Sequence, residues 1–412
     1  MPSKECATGI VKKLKEAGHV AYFAGGWVRD FLMRHPSDDI DIATSASVEQ
    51  VQKIFPKTVP VGVAFGIIIV IEEGHSFEVA TFRKDRGYVD GRRPSGIEPA
   101  TPQEDAQRRD FTINGMFYDP LEDKIYDFVE GKKDVEKGVI RAIGNPHERF
   151  LEDRLRMMRA VRYSTRFNFP IESETLQAIL IHSSSLLPAV AMERIWQEFK
   201  KMSQFAHFDT GLIMLHQLNL LQTIFPQLQK VSVEEIQNRC RIFEQLPKEC
   251  PPLTQLLELF SDFSLEQLLL FCDYLKVSKA EREFAEFLLH TKNLLNMPDK
   301  WLSKLEPIEW ARFYAQPESE ICIKIFSSHL FPEEREKFLE NHIRHRQLLE
   351  QAVLRIQSQT PLVRAEDLMR EGIRPGALMG DLLREAERIA VNQNLEDRKI
   401  IISYLKKSSV WK

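Results

Sequence analysis

The chain has 412 residues, 43% apolar and 28% charged, with 18 Gly and 21 Pro, which suits a multi-domain globular protein and excludes a disordered or collagen-like one. Its 56 Lys and Arg against 60 Asp and Glu leave a formal charge of −4, so it does not coat polyanions with its whole surface, and any nucleic-acid contact must be a local patch. The five cysteines (Cys6, Cys240, Cys250, Cys272, Cys322) are odd in number and form no C-x-x-C pair, which excludes a disulfide framework or zinc ribbon and points to a reducing cytoplasm. MPSKECATGI has no apolar signal core, and no stretch approaches the roughly 18 apolar residues of a membrane span, so no membrane partner is expected.

Up to about residue 130, short β-branched segments alternate with polar connections and predict strands: AYFAGG (21–26), DIDIAT (39–44), VGVAFGIIIVI (61–71), SFEVATFR (76–83) and KIYDFV (124–129). Between them, Ser47 followed by Gln50 reads as a capping box that opens a helix. The connection between Arg83 and Arg108 is polar and aperiodic, predicting a long mobile loop. Its Arg83, Lys84, Arg86, Arg92 and Arg93 suit either a phosphate-facing or a plainly solvated role. From about residue 146 the apolar period becomes 3.6, so the remaining two thirds should be nearly all helix. The expected class is therefore α+β, with a small mixed sheet first and helices after it.

The chemistry concentrates in three segments. The first is GGWVRDFLMRHPSDDIDIAT (25–44). Side chains two apart share a strand face, so Asp39 and Asp41 project together while Ile40 and Ile42 turn into the core. Two adjacent carboxylates repel unless a cation lies between them, and hard oxygen donors of this kind suit Mg²⁺. Gly25 and Gly26 allow close backbone approach to a ligand, with Arg29 on the following helix able to reach phosphate. Glu78, opposite inward Phe77 and Val79, can join the two aspartates as a third carboxylate.

In RRDFTINGMFYDP (108–120), Arg109 can clamp phosphate and Asp110 can accept from ribose hydroxyls, unless the two simply pair with each other. Asn114 is either a turn residue or an orienter of its neighbours. In ERFLEDRLRMMRAVRYSTRF (148–167), a continuous helix puts Glu152, Arg156, Arg159 and Tyr163 within about 60° of one another. The six Arg of residues 149–166 outweigh Glu152 and Asp153, a local +4. Surface pairs such as Glu152 with Arg156 are the plain alternative. An acceptor beside a donor matches the amine and ring nitrogen on the Watson–Crick edge of cytosine and adenine and mismatches uracil and guanine; Asp153 with Arg156 is such a pair.

These motifs, in this order, resemble the class II nucleotidyltransferases, which comprise tRNA nucleotidyltransferases (CCA-adding enzymes) and bacterial poly(A) polymerases. The likeness is specific over residues 20–170 and returns more weakly in AEDLMREGIRPGALMGDLLREAERIAVNQNLEDRKIIISYL, similar to tRNA-binding tail helices. It implies a polymerase β-like head (1–145), a helical neck that reads the base (146–205), a helical body (206–335) and a tRNA-binding tail (336–412). Asp39 and Asp41 would hold Mg²⁺, with Glu78 a third catalytic carboxylate. Gly25, Gly26 and Arg29 would hold the triphosphate, Asp110 the ribose and Arg159 a further phosphate, with Arg109 and Asn114 also in the nucleotide site and Glu152, Asp153 and Arg156 at the base. The implied reaction adds CCA to tRNA from CTP and ATP by phosphoryl transfer with loss of pyrophosphate. An A-adding enzyme and a poly(A) polymerase are the alternatives. VGVAFGIIIV lacks the basic pair and the short YLKKSSVWK ending lacks the basic extension that poly(A) polymerases resemble one another in. Position 115 is Gly where many CCA-adding enzymes carry Ala. The oligomeric state is left open.

Overall fold

A computed structural model describes residues 2–35, 37–88, 94–298 and 304–411. The chain divides into two compact units, Met1–Asn238 and Arg239–Lys412. The first holds nine strands: β1 (Ala21–Ala24), β2 (Asp41–Thr44), β3 (Thr58–Gly62), β4 (Ile67–Glu72), β5 (His75–Thr81), β6 (Arg83–Tyr88), β7 (Pro94–Pro99), β8 (Met116–Asp119) and β9 (Lys124–Asp127). Seven form one mixed sheet in the order β3-β4-β5-β2-β1-β8-β9. β2 runs parallel to β5, with Ile42 opposite Val79, and antiparallel to β1, with Asp41 opposite Ala24.

The alternation of the strands decides what each face does. On one face Phe23, Ile42, Val70, Phe77 and Val79 pack with Ile10, Val11 and Leu14 of helix α1 (Pro2–Glu16). Helix α3 (Val48–Ile54) adds Val48 and Val51 to the same core and opens on the Ser47–Gln50 capping box that its sequence announces. The opposite face is built from small side chains, Ala24 and Ala43, beside Phe82 and Phe117.

Two sequence expectations change in the structure. The run 61–71 is not one strand. Val63–Phe65 form a 3₁₀ turn and Gly66, at φ 70°, closes it at little steric cost. The connection from Arg83 to Arg108 is not a loop throughout, because β6 and β7 pair as a two-stranded hairpin and Pro102–Gln107 form α4, closed by a Thr101–Glu104 capping box. Strands that pair only with each other need no apolar alternation, so composition hides them. Arg92, Arg93 and the side chain of Arg86 lie outside the described residues.

Helices follow: α5 (Gly131–Lys137), α6 (Pro146–Glu152), α7 (Leu155–Phe167), α8 (Ser173–His182), α9 (Leu186–Ala189), α10 (Met192–Met202) and α11 (Phe208–Gln217), after the short α2 (Gly26–Leu32). The helix expected through residues 149–166 is interrupted. Asp153 is extended (φ −141°, ψ 103°), and its Oδ1 accepts from the Leu155 N–H at 3.1 Å, restarting the chain as α7. Helix α7 is enclosed, with Met157, Met158, Ala160 and Val161 fully buried.

The second unit is helical among its described residues, from Pro252–Glu258 to Arg398–Leu405. Ile308, Ala311, Tyr314 and Val353 form one of its cores, and Leu368, Leu382, Ile401 and Leu405 another. None of the five cysteines forms a disulfide. Among the described residues no helix is long and apolar enough to cross a membrane.

Candidate active site

Strand β2 begins at Asp41, so Asp39 precedes it, yet the alternation runs on across that boundary. Ile40 (4% exposed) and Ile42 (1%) are buried while Asp39 and Asp41 face solvent. The parallel register, one residue beyond Ile42 and Val79, sets Asp41 beside Glu78 on the adjoining strand. Glu78 is exposed between buried Phe77 and Val79, as its pattern requires.

The carboxyl of Asp41 is pushed up to about 6, first by the protein crowding it, then by the negative charges of Glu78 and Asp39, while Arg109 pulls the other way. It keeps solvent access, as a metal ligand must. Among the described residues no three His, Cys, Asp or Glu side chains are gathered into a closed metal cage. The negative charges of Glu78 and Asp39 beside Asp41 repel it, and a hard divalent cation would relieve that repulsion. The donor set therefore fits a metal held by oxygen ligands.

Gly25 ends β1 and starts α2 at φ 68°, a conformation that favours glycine. A Cβ there would lie 3.1 Å from Arg109 Nη1, so glycine also lets that guanidinium approach. Arg109 is aimed by Asp105, whose Oδ2 accepts from its Nε and Nη2 at 3.2 and 3.0 Å. Burial alone would raise the Asp105 carboxyl, but Arg109 and Arg108 hold it below its ordinary value. Asp105 is a residue that sequence reasoning passed over. Its signal was the i, i+4 spacing to Arg109.

The plain alternative, a pair between Arg109 and Asp110, does not occur. Asp110 instead accepts from Arg159 Nε at 2.7 Å, a partner 49 residues away on α7, and from Asn114 Nδ2 at 3.1 Å. Burial favours its neutral form, yet Arg159 and Asn114 prevail and hold the carboxyl down to about 2. Asn114 is 6% exposed and acts as an orienter: its Oδ1 accepts from Arg29 Nη1 while its amide donates to Asp110. Arg29 is itself buried, donating to Asp30 Oδ1 at 2.9 and 2.8 Å and stacked 4.7 Å from the Phe167 ring centroid. Arg166 grips the other oxygen of Asp30 at 2.9 Å. A buried polar chain thus runs Arg166–Asp30–Arg29–Asn114–Asp110–Arg159 and ties α2 and the segment after α4 to α7. Gly26 sits directly over it, its Cβ position 3.5 Å from Arg29 Nη2.

The presumed base-reading residues are brought near one another but not paired as expected. Arg156 Nη1 donates to Glu152 Oε2 at 2.7 Å and to the Arg149 carbonyl at 3.2 Å, and its Nη2 donates to the Arg108 carbonyl at 3.1 Å. The plain Glu152–Arg156 pair is therefore present, across the helix break. Asp153 accepts from Arg194 Nη2 at 3.2 Å and not from Arg156. Arg149, Asp30 and Arg166, which lie inside the quoted motifs but were given no role, and Arg194, which lies outside them, complete this set of contacts.

Comparisons with known proteins agree with this geometry. Residues 21–141 match a family described as the poly A polymerase head domain, and residues 168–231 one described as a probable RNA and SrmB-binding site of polymerase A. The CCA-adding enzyme of Ligilactobacillus salivarius (strain UCC118) is 34% identical over 97% of this chain and 96% of its own length. That of Bacillus subtilis (strain 168) is 46% identical over 53% of this chain and 55% of its own. The crystal structure of the Bacillus stearothermophilus CCA-adding enzyme in complex with CTP superposes with a TM-score of 0.76 at 27% identity, covering 99% of this chain and 98% of that one. Nucleotidyltransferases of this class are metal-dependent. With its paired strands, acidic edge and buried arginine network, the chain belongs to the family of CCA-adding enzymes, the tRNA nucleotidyltransferases.

Proposed function

We propose that the protein adds C and A nucleotides to the 3′ end of tRNA from CTP and ATP, completing CCA. The observation that carries this is the placement of Asp41 beside Glu78 on adjacent strands, with Asp39 two residues before Asp41 on the same alternation and the guanidinium groups of Arg109 and Arg29 close to Gly25 and Gly26. The RNA 3′-hydroxyl attacks the α-phosphate and pyrophosphate leaves, a reaction that asks the protein mainly for positioning and charge neutralisation. Asp39 and Asp41 would hold Mg²⁺, which supplies positive charge to the phosphates, and Glu78 completes the acidic set. Gly25, Gly26, Arg29 and Arg109 border the triphosphate, Asp110 and Asn114 the ribose, and Arg159 a further phosphate.

Glu152, Asp153 and Arg156 read the base, with Asp153 accepting from the exocyclic amine and Arg156 donating to the ring nitrogen. Residues 1–145 are the catalytic head, 146–205 the neck, 206–335 the body and 336–412 the tail that grips tRNA phosphates in a salt-dependent way. Five cysteines without a disulfide support a cytoplasmic site of action. Incubating the protein with tRNA ending before, within and after CCA, with each nucleotide supplied singly, tests the reading. Addition that stops once CCA is complete supports it; an open-ended A tail on any RNA would make the protein a poly(A) polymerase instead.

A further inference from the structure

We infer that Arg194 is a positioning residue for base selection, acting through Asp153. The inference rests on the proposed role of Asp153 as acceptor for the base amine. The two halves of that reader are held separately. Arg156, the donor, is fixed by Glu152 and by the carbonyls of Arg149 and Arg108. Asp153, the acceptor, sits in the two-residue gap between α6 and α7, where no helical hydrogen bond restrains its side chain. One oxygen is tied to the Leu155 N–H at 3.1 Å. The other is tied only to Arg194 Nη2 at 3.2 Å, which reaches across from the first turn of α10.

A carboxylate offers about four lone-pair directions, so two remain for a ligand once these bonds are made, and their direction is set by the two anchors. Removing Arg194 frees the carboxylate to turn about its Cβ–Cγ bond. The acceptor then loses the orientation that distinguishes an amine from a carbonyl, while the donor half is untouched.

A purely architectural arginine would be expected to use its donors fully. Arg194 does not: its Nη1 is buried with no hydrogen-bond partner. An unmatched buried donor costs free energy, and the Asp153 carboxylate it leaves behind keeps access to water, so a methionine of similar length should support the fold nearly as well. Only one nitrogen engages Asp153, so lysine can stand in for it.

The experiment compares wild type, Arg194→Met, Arg194→Lys and Asp153→Ala in the full chain. Each is assayed for kcat/KM with CTP, UTP, ATP and purine riboside triphosphate, which lacks only the amine of ATP, and for its melting temperature. Arg194→Met is expected to lower the CTP over UTP and ATP over purine riboside preferences each about tenfold, at unchanged melting temperature, and Arg194→Lys to restore much of both. Wild-type preferences in Arg194→Met, with both lost in Asp153→Ala, would overturn the role of Arg194 alone. An equal fall for all four nucleotides with a lowered melting temperature would make Arg194 merely structural. Full preference in Asp153→Ala would overturn the acceptor reading together with this inference.

Discussion

Asp41 and Asp110 are both carboxylates near one cleft, and their surroundings push them in opposite directions. Asp41 has acidic neighbours and is raised to about 6; Asp110 has Arg159 and is lowered to about 2. The first arrangement suits a group awaiting a cation, the second a group already matched. Asp39→Ala and Asp41→Ala are each expected to abolish nucleotide addition while tRNA binding, followed by filter retention, stays within about twofold, since phosphate contacts elsewhere dominate that affinity. Asp110→Asn should cost about 2 kcal/mol by denaturant unfolding, because it leaves Arg159 without its charge partner. The pH dependence has a definite sign. With its folded value depressed, Asp110 contributes fully above the ordinary 3.8, and that contribution disappears as pH falls from about 4 to about 2. At this scale the sequence was most legible. Period-2 alternation alone puts Asp39, Asp41 and Glu78 outward, whereas the partner of Asp110 lies 49 residues away and no local pattern could name it.

Between residues and the fold stand the elements, and the break between α6 and α7 is the informative one. Helical periodicity predicts one rod through residues 149–166. A side-chain hydrogen bond from Leu155 to Asp153 competes with the helical ladder there and wins, which turns Asp153 towards α10 and leaves Arg156 to Glu152. Arg156→Ala is expected to relax choice among nucleotides more than it weakens their binding, seen as UTP incorporation rising while the Kd for CTP shifts only severalfold. Retained rejection of UTP would remove Arg156 from the reader. Gly115 gives an independent test of local packing. Its φ of −91° needs no glycine, but a Cβ would lie 2.6 Å from Val129 Cγ2 and 3.0 Å from Ile143 Cδ1. Gly115→Ala should therefore cost about 1–3 kcal/mol in thermal or denaturant unfolding, from overpacking alone. The β6–β7 hairpin was the least legible element, since none of its described side chains belongs to an apolar core.

For the whole molecule, the expected sequence of mixed sheet followed by helices is what the chain adopts, but strand order was not legible. The parallel pairing of β2 with β5 joins segments more than 30 residues apart across a crossover, and composition carries no trace of it. The second unit titrates in its own way. The buried Tyr314 hydroxyl lies 2.9 Å from His342 Nδ1 and 3.2 Å from His345 Nδ1. Burial, and then His345, pushes His342 down to about 4. A histidine held neutral in the fold supports stability above its ordinary 6.5 and loses that support as pH falls towards 4. Hydrogen-exchange protection, taken relative to the intrinsic amide rate at each pH, should fall between pH 6.5 and 4 in the helices Pro307–Tyr314 and Pro332–Leu348 before it falls in the sheet amides of the first unit, and His342→Gln should flatten the effect.

The guanidinium groups around the cleft share one further trait. Arg29 is matched by Asp30, Arg109 by Asp105, Arg156 by Glu152 and Arg159 by Asp110, so none displays a bare positive charge. A triphosphate bound as proposed would have to share guanidinium donors that resident carboxylates already hold, so a polyanion offering charge without matching shape would gain little from these groups.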